Sequence, residues 1–286
     1  MEVIRVVPSG YCKGVVNAIN IAKKVKEDNP NTPVYVLGMM VHNTYVTEQL
    51  TKLGIITLDD SKKSKEELLD DIDHGIVCLT AHGTSDAIKN KAIKKGLKVV
   101  DGACEDVLKT KNLIIEYLNK GYDVIYFGKK GHPEANAIVS LSDKIHLVSN
   151  NEDIDLLNID NDSIIITNQT TMSYIELEEK IKHILSKYPN AKIIKEICNA
   201  TSSRQKAIEN INDADILYVV GDSKSNNTNK LVEVAKTSGI QEVFLIANKN
   251  EINVNDLTNK HKVYVTAGAS TPPVLINEVI DYLKSI

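Results

Sequence analysis

Three of the four cysteines stand at nearly equal intervals, Cys12, Cys104 and Cys198, with separations of 92 and 94 residues (104 − 12 and 198 − 104). Each ends a strand-like apolar run: Arg5-Val-Val-Pro-Ser-Gly-Tyr-Cys12, Leu97-Lys-Val-Val-Asp-Gly-Ala-Cys104 and Ile193-Ile-Lys-Glu-Ile-Cys198. Each is followed by a segment of helical period: Val15–Val25, Val107–Leu118 and Ser203–Ile211. The pattern predicts three thiols at strand ends beside helix N-termini. The partial positive charge there favours thiolate over thiol.

The same order of elements then recurs three times. After the helix, a strand ends at a glycine: Pro33–Gly38, Tyr122–Gly128 and Ala214–Gly221. The glycine opens a polar loop holding His42, then His132 and Glu134, then Ser225 and Asn227. A short strand follows each (Ile55–Leu58, Lys144–Val148, Glu242–Ile246), and a last strand leads to His82, to Gln169-Thr-Thr171, or to Ser270. Asp59–Asp73 reads as a solvated connection with a helix. Short apolar strands alternating with helices predict α/β units with parallel sheets. The expected fold is three α/β domains, residues 1–102, 103–196 and 197–286, each with a small parallel sheet. A pseudo-threefold trefoil would turn their loops toward one central cavity, because ligands in such sheets bind beyond the carboxyl ends of the strands.

Composition narrows the classes of function. A net charge of −4 argues against a nucleic-acid-binding surface. No apolar run is long enough to span a bilayer, and residues 1–10 read as a strand rather than a signal peptide. The expected location is cytoplasmic, where separated cysteines point to metal or catalysis more than to disulfides.

Cys78, inside Ile76-Val-Cys-Leu79, reads as a small core residue. For Cys12, Cys104 and Cys198 the shared repeat position argues for ligation. Structural zinc sites favour four ligands, often in closely spaced pairs, and no CxxC pair is present. Three soft ligands suit a four-iron, four-sulfur cluster with one iron not ligated by protein. The polar loops carry mainly neutral donors, fit for a phosphate or diphosphate, although any single histidine there could be structural. Glu134 reads either as a proton donor or as a surface carboxylate.

Nine motifs in order resemble the family of 4-hydroxy-3-methylbut-2-enyl diphosphate reductases, the last enzymes of the non-mevalonate isoprenoid route. They are Tyr11-Cys12-x-Gly14-Val15, Val41-His42-Asn43, Ala81-His82-Gly83, Cys104, Gly131-His132-Pro133-Glu134, Gln169-Thr170-Thr171, Thr201-x-x-Arg204-Gln205, Ser225-Asn226-Asn227-Thr228-Asn229 and Ala267-Gly268-Ala269-Ser270. The resemblance implies a trefoil around an oxygen-sensitive cluster ligated by Cys12, Cys104 and Cys198. It implies reductive removal of an allylic hydroxyl with two electrons and two protons, giving isopentenyl and dimethylallyl diphosphates. His42, His82, Ser225, Asn226, Asn227 and Ser270 would hold the diphosphate. His132 would touch the diphosphate side and assist proton delivery, and Glu134 with Thr170 would form a relay to the departing oxygen. Ferredoxin or flavodoxin would be the electron donor; no nucleic acid or membrane partner is expected.

The chain departs from that pattern in three places. Asp101-Gly-Ala-Cys104-Glu replaces the usual Asp-Ala-Thr-Cys-Pro, Asn17 replaces a frequent Arg, and Asn226 replaces a usual Ser. Rival readings are a quinolinate synthase, which would need basic residues for two carboxylate substrates, and a non-enzymatic iron–sulfur redox sensor, which would need a basic helix or a further domain.

Overall fold

A computed structural model describes all residues, 1–286. It contains twelve strands and eleven α-helices. The first stretch is β1 (Glu2–Arg5), α1 (Lys13–Asp28), β2 (Val34–Leu37), α2 (Thr44–Lys52), β3 (Ile55–Leu58), α3 (Lys65–Asp70), β4 (Ile76–Leu79), α4 (Asp86–Lys94) and β5 (Lys98–Asp101). Next come α5 (Glu105–Asn119), β6 (Asp123–Phe127), α6 (Pro133–Val139), β7 (Ile145–Val148), α7 (Asn151–Asp155), β8 (Ile164–Asn168), α8 (Tyr174–Lys187) and β9 (Lys192–Ile193). The last are α9 (Asn199–Glu209), β10 (Ile216–Val220), α10 (Asn226–Thr237), β11 (Glu242–Ile246), β12 (Lys262–Ala267) and α11 (Pro273–Ser285).

The strands form three four-stranded sheets, ordered β3-β2-β4-β5, β7-β6-β8-β9 and β11-β10-β12-β1. All pairings are parallel. The three orders are one topology used three times. Central strands β6, β8 and β10 are buried at every position, as apolar strands covered on both faces must be. The sheet of β6 and β8 packs Ile125, Phe127 and Ile166 on one side and Val124, Tyr126 and Ile165 on the other.

The chain divides into two compact units. One holds residues 1–15, 42–44 and 198–286, built on the β10–β12 sheet with a core of Val6, Ile208, Leu217, Val219 and Leu231. The other holds residues 16–41 and 45–197 with the remaining two sheets.

Several elements differ from the sequence expectation. β1 pairs along β12, Glu2 against Lys262 through Arg5 against Val265, so the residues before Cys12, grouped by sequence with the first repeat, belong to the last sheet. The runs leading to the cysteines are also shorter strands than expected. β1 stops at Arg5, ahead of Pro8, which has no N–H to give a ladder, and Gly10, whose φ is +79°. Beyond β1 the chain still follows β12 through single bonds, Gly10 N–H to Ala267 O at 3.3 Å and Cys12 N–H to Ala269 O at 3.1 Å. β9 ends at Ile193; Ile194 N–H still donates to Ile166 O at 2.9 Å, and the Asn168 side chain then accepts the Glu196 N–H at 3.0 Å. Helix α9 starts at Asn199, directly after Cys198, four residues earlier than its polar sequence suggested. In Asp59–Asp73 a capping box at Ser64 and Glu67 starts α3, and Leu68, Leu69 and Ile72 enter the core. No helix is long and apolar enough to cross a membrane.

Candidate active site

In all three sheets the edge strand, β5, β9 or β1, is the one that leads to a cysteine. Cys104 and Cys198 are the N-cap residues of α5 and α9, with extended backbones and thiols that do not cap their helices. Cys12 stands just ahead of α1, and its Sγ accepts the Val15 N–H at 3.4 Å. Cys12 and Cys104 are anchored alike, their N–H groups donating to Ala269 O and Ala81 O, the residues just before Ser270 and His82. The Cys198 thiol lies 3.1 Å from the Thr201 hydroxyl. All three thiols are half-buried and unpaired by disulfides. Cys78 is fully buried, and desolvation pushes its thiol up to about 11.

The unit carrying β6 and β8 buries a carboxyl among hydrogen-bond donors. Helix α6 has Pro133 at its first turn and His132 as N-cap, whose Nδ1 accepts the Glu134 N–H at 3.2 Å. That backbone donor makes Nδ1 the acceptor, so the neutral ring carries its proton on Nε2 and donates there. Rings of His132 and His82 meet edge to face, centroids 5.4 Å apart. Glu134 is 1% exposed. Its Oε1 accepts from Thr170 N–H at 2.8 Å and from the Tyr126 hydroxyl at 3.4 Å, and its Oε2 from Thr170 Oγ1 at 2.9 Å. Burial raises the carboxyl to about 7, against these hydrogen bonds and with a smaller push from the charge of Asp106. Gln169 stiffens the adjoining turn, taking Lys129 N–H at 3.0 Å and donating to Thr171 Oγ1 at 2.9 Å.

The unit carrying β10 and β12 gathers hydroxyl and amide groups. Ser225, Asn226, Asn227 and Ser270 are buried at the end of that sheet. Ser225 caps α10, accepting from Thr228 N–H at 3.3 Å. Ser270 Oγ donates to His42 O at 3.0 Å and lies 3.4 Å from Ser225 Oγ. Asn227 accepts the Ala269 N–H at 2.9 Å and donates to Thr201 Oγ1 at 3.1 Å, one bond from Cys198. At Gly268 an added Cβ would lie 2.1 Å from Thr228 Oγ1, so only glycine lets β12 pass α10 here.

Three contributors were missed at the sequence level. Asp222 takes both N–H and Oγ1–H of Thr44, at 2.9 and 2.6 Å, and so pins the His42 loop. Tyr126 backs Glu134; a phenol in an all-buried strand was the available signal, since a buried hydroxyl needs a partner. Arg204 stood in a quoted motif without a role.

The LytB protein family model matches residues 3–284. The chain belongs to the LytB family. Its relatives include the 4-hydroxy-3-methylbut-2-enyl diphosphate reductase of Geobacillus sp. (strain WCH70), 47% identical, covering 99% of this chain and 90% of that one. The enzyme of the same name from Symbiobacterium thermophilum is 44% identical, covering 99% and 97%. Among solved structures, the Plasmodium falciparum E-1-hydroxy-2-methyl-but-2-enyl-4-diphosphate reductase superposes on this LytB chain with a TM-score of 0.91 at 30% identity, covering 99% and 87%. A second, titled as the terminal enzyme of the non-mevalonate pathway, does so with 0.69 at 26% identity over the whole of both chains.

Proposed function

We propose that this LytB-family chain is an oxidoreductase that removes the allylic hydroxyl of 4-hydroxy-3-methylbut-2-enyl diphosphate. The C–O bond breaks, two electrons and one proton go to the allylic fragment, and the hydroxyl leaves with the second proton as water. The products are isopentenyl and dimethylallyl diphosphates. Two observations favour this reading over the rival cluster enzyme and the sensor. One is the family match over nearly the whole chain. The other is a buried carboxyl that can hold a proton near neutral pH.

The donor chemistry fits an iron–sulfur cluster. Three half-exposed thiols sit at helix N-termini, and two of them lie beside hydrogen-bond donors, the Val15 N–H and the Thr201 hydroxyl. Cys12, Cys104 and Cys198 would hold a four-iron, four-sulfur cluster with one iron free of protein ligands. That group would supply the electrons and a Lewis-acidic site for the hydroxyl. Glu134 holds the proton. When Glu134 is protonated, the Thr170 hydroxyl accepts from it and donates onward to the departing oxygen; when it is ionised, Thr170 donates back. His132 Nε2–H donates toward the substrate. His42, His82, Ser225, Asn226, Asn227 and Ser270 bind the diphosphate through imidazole, hydroxyl and amide donors. A ferredoxin or flavodoxin in the cytoplasm delivers the electrons.

The carrying observation is the Glu134–Thr170 pair, with both carboxylate oxygens occupied by Thr170 donors. Anaerobic protein mixed with substrate and an artificial reductant should release both diphosphate products, and its spin-resonance spectrum should change when substrate is added. A colourless protein that retains no iron and leaves the substrate intact would refute the reading.

A further inference from the structure

Arg204 projects from the second turn of α9 and is 4% exposed. One terminal nitrogen donates to Ala200 O at 2.6 Å, within its own helix. The other donates to Gly10 O at 2.5 Å and to Tyr11 O at 3.4 Å, the carbonyls just before Cys12. The buried Nε–H has no acceptor. All of these partners are neutral, and no carboxylate pairs with the guanidinium. The guanidinium stands between the two sulfur-bearing segments: its fork holds the carbonyls of Gly10 and Tyr11, directly before Cys12, and its helix begins directly after Cys198. Arginine does not shed its proton in proteins, so burial cannot be relieved by neutralisation. A buried cation without a counter-charge is costly. An anionic group held by Cys12 and Cys198 would lie beside this cation and compensate it.

The backbone fits this role. Gly10 has φ +79°, and a Cβ there would stand 2.6 Å from Ile276 Cδ1. Only glycine therefore turns the chain so that its own carbonyl and that of Tyr11 face the guanidinium while the next residue presents its thiol.

We infer that Arg204 is the counter-charge of the thiolate-bound cluster, holding the Cys12 loop against α9 and favouring the more reduced state of the group bound there. This rests on the proposed cluster. Three thiolates leave such a cluster net negative and each added electron deepens that charge, so a nearby fixed cation raises the reduction potential. Arg204 touches no substrate; it acts through the ligands.

The test is a spin-resonance redox titration of anaerobically reconstituted full-length protein, comparing wild type with Arg204→Met and Arg204→Lys. Removing the charge in Arg204→Met should lower the reduced-to-oxidised ratio at fixed potential about tenfold or more, a shift of ~59 mV for one electron. Arg204→Lys keeps the charge and loses the fork, so its ratio should stay within about threefold, while the cluster is lost faster to a chelator. An unchanged potential in Arg204→Met overturns the inference. So does an Arg204→Lys potential as low as that of Arg204→Met, which would leave only a packing role. Should Arg204→Met fail to fold, Arg204→Lys decides alone: folded with a near-native potential it supports the inference, and unfolded or low in potential it overturns it. Failure of the underlying reading looks different, since wild type itself would then show no cluster signal.

Discussion

Glu134 and Arg204 are both almost fully buried ionisable groups, one in each compact unit, and they meet burial in opposite ways. Glu134 can become neutral. It sits among donors that hold a carboxylate, yet desolvation outweighs them and leaves the group poised to take or release a proton near neutrality. Arg204 has no neutral form; burial disfavours its charge, and the carbonyls of Ala200, Gly10 and Tyr11 hold it between the Cys12 loop and the helix that follows Cys198. Burial of a titratable group thus creates a proton store, whereas burial of a permanent charge creates a demand on whatever sits beside it. On the proposed mechanism this difference would separate proton supply from electron supply: changes at Glu134 should alter turnover and leave the potential of the proposed cluster alone, and changes around Arg204 should do the reverse.

The largest expected effect would break the thiol side. Cys12→Ser, Cys104→Ser and Cys198→Ser should each abolish retention of iron and sulfide, measured after anaerobic reconstitution. Cys78→Ser should retain both, because that thiol lies inside β4 and burial disfavours its thiolate. Cluster loss in Cys78→Ser together with retention in Cys104→Ser would reverse the assignment.

Next is Glu134→Gln, which keeps shape and removes acidity. Turnover with an artificial reductant should fall by roughly 10²–10⁴-fold, the range for general acid–base catalysis. The reduction potential should stay at the wild-type value. A near-normal rate would show that Glu134 only stiffens the His132-Pro133 turn.

A smaller effect sharpens the same point thermodynamically. The Glu134 carboxyl is raised from 4.5 to about 7 in the folded protein, so the fold binds a proton that the unfolded chain has released. Stability from this group is therefore fully present below about pH 4.5 and is lost as pH rises through about 7, by about 3 kcal/mol in all. Urea denaturation of wild type minus Glu134→Gln across that window should show this slope; a flat difference would contradict a neutralised buried carboxyl.

The smallest expected effect is Tyr126→Phe. Burial, reinforced by Glu134, keeps the phenol protonated, so it is a donor at 3.4 Å to Glu134 Oε1. Losing so long a bond should raise the Glu134 pKa slightly, at a cost under ~1 kcal/mol. The descending limb of the pH–rate profile should move to higher pH. Movement to lower pH would mean that Tyr126 does not support the carboxylate.

The periodic features of this protein were open to reading from the chain alone. Apolar runs such as Asp123–Phe127 and Ile164–Asn168 announce buried parallel strands, and the cysteine interval announces a threefold use of one strand–helix junction. These are local properties of the backbone and its side-chain pattern, so they survive without knowledge of partners. What the tertiary structure decided are sums over distant neighbours. Four residues at the N-terminus pair with β12, more than 250 positions away, and nothing in Glu-Val-Ile-Arg marks that partner. His132-Pro133-Glu134 reads equally well as a surface turn until Tyr126 and Thr170 close over the carboxylate. Arg204 reads as one more helical arginine until Gly10 and Tyr11 turn their carbonyls to it and the solvent is gone. Desolvation sets the chemistry of both groups, and it depends on everything packed around a side chain rather than on the residues beside it in sequence.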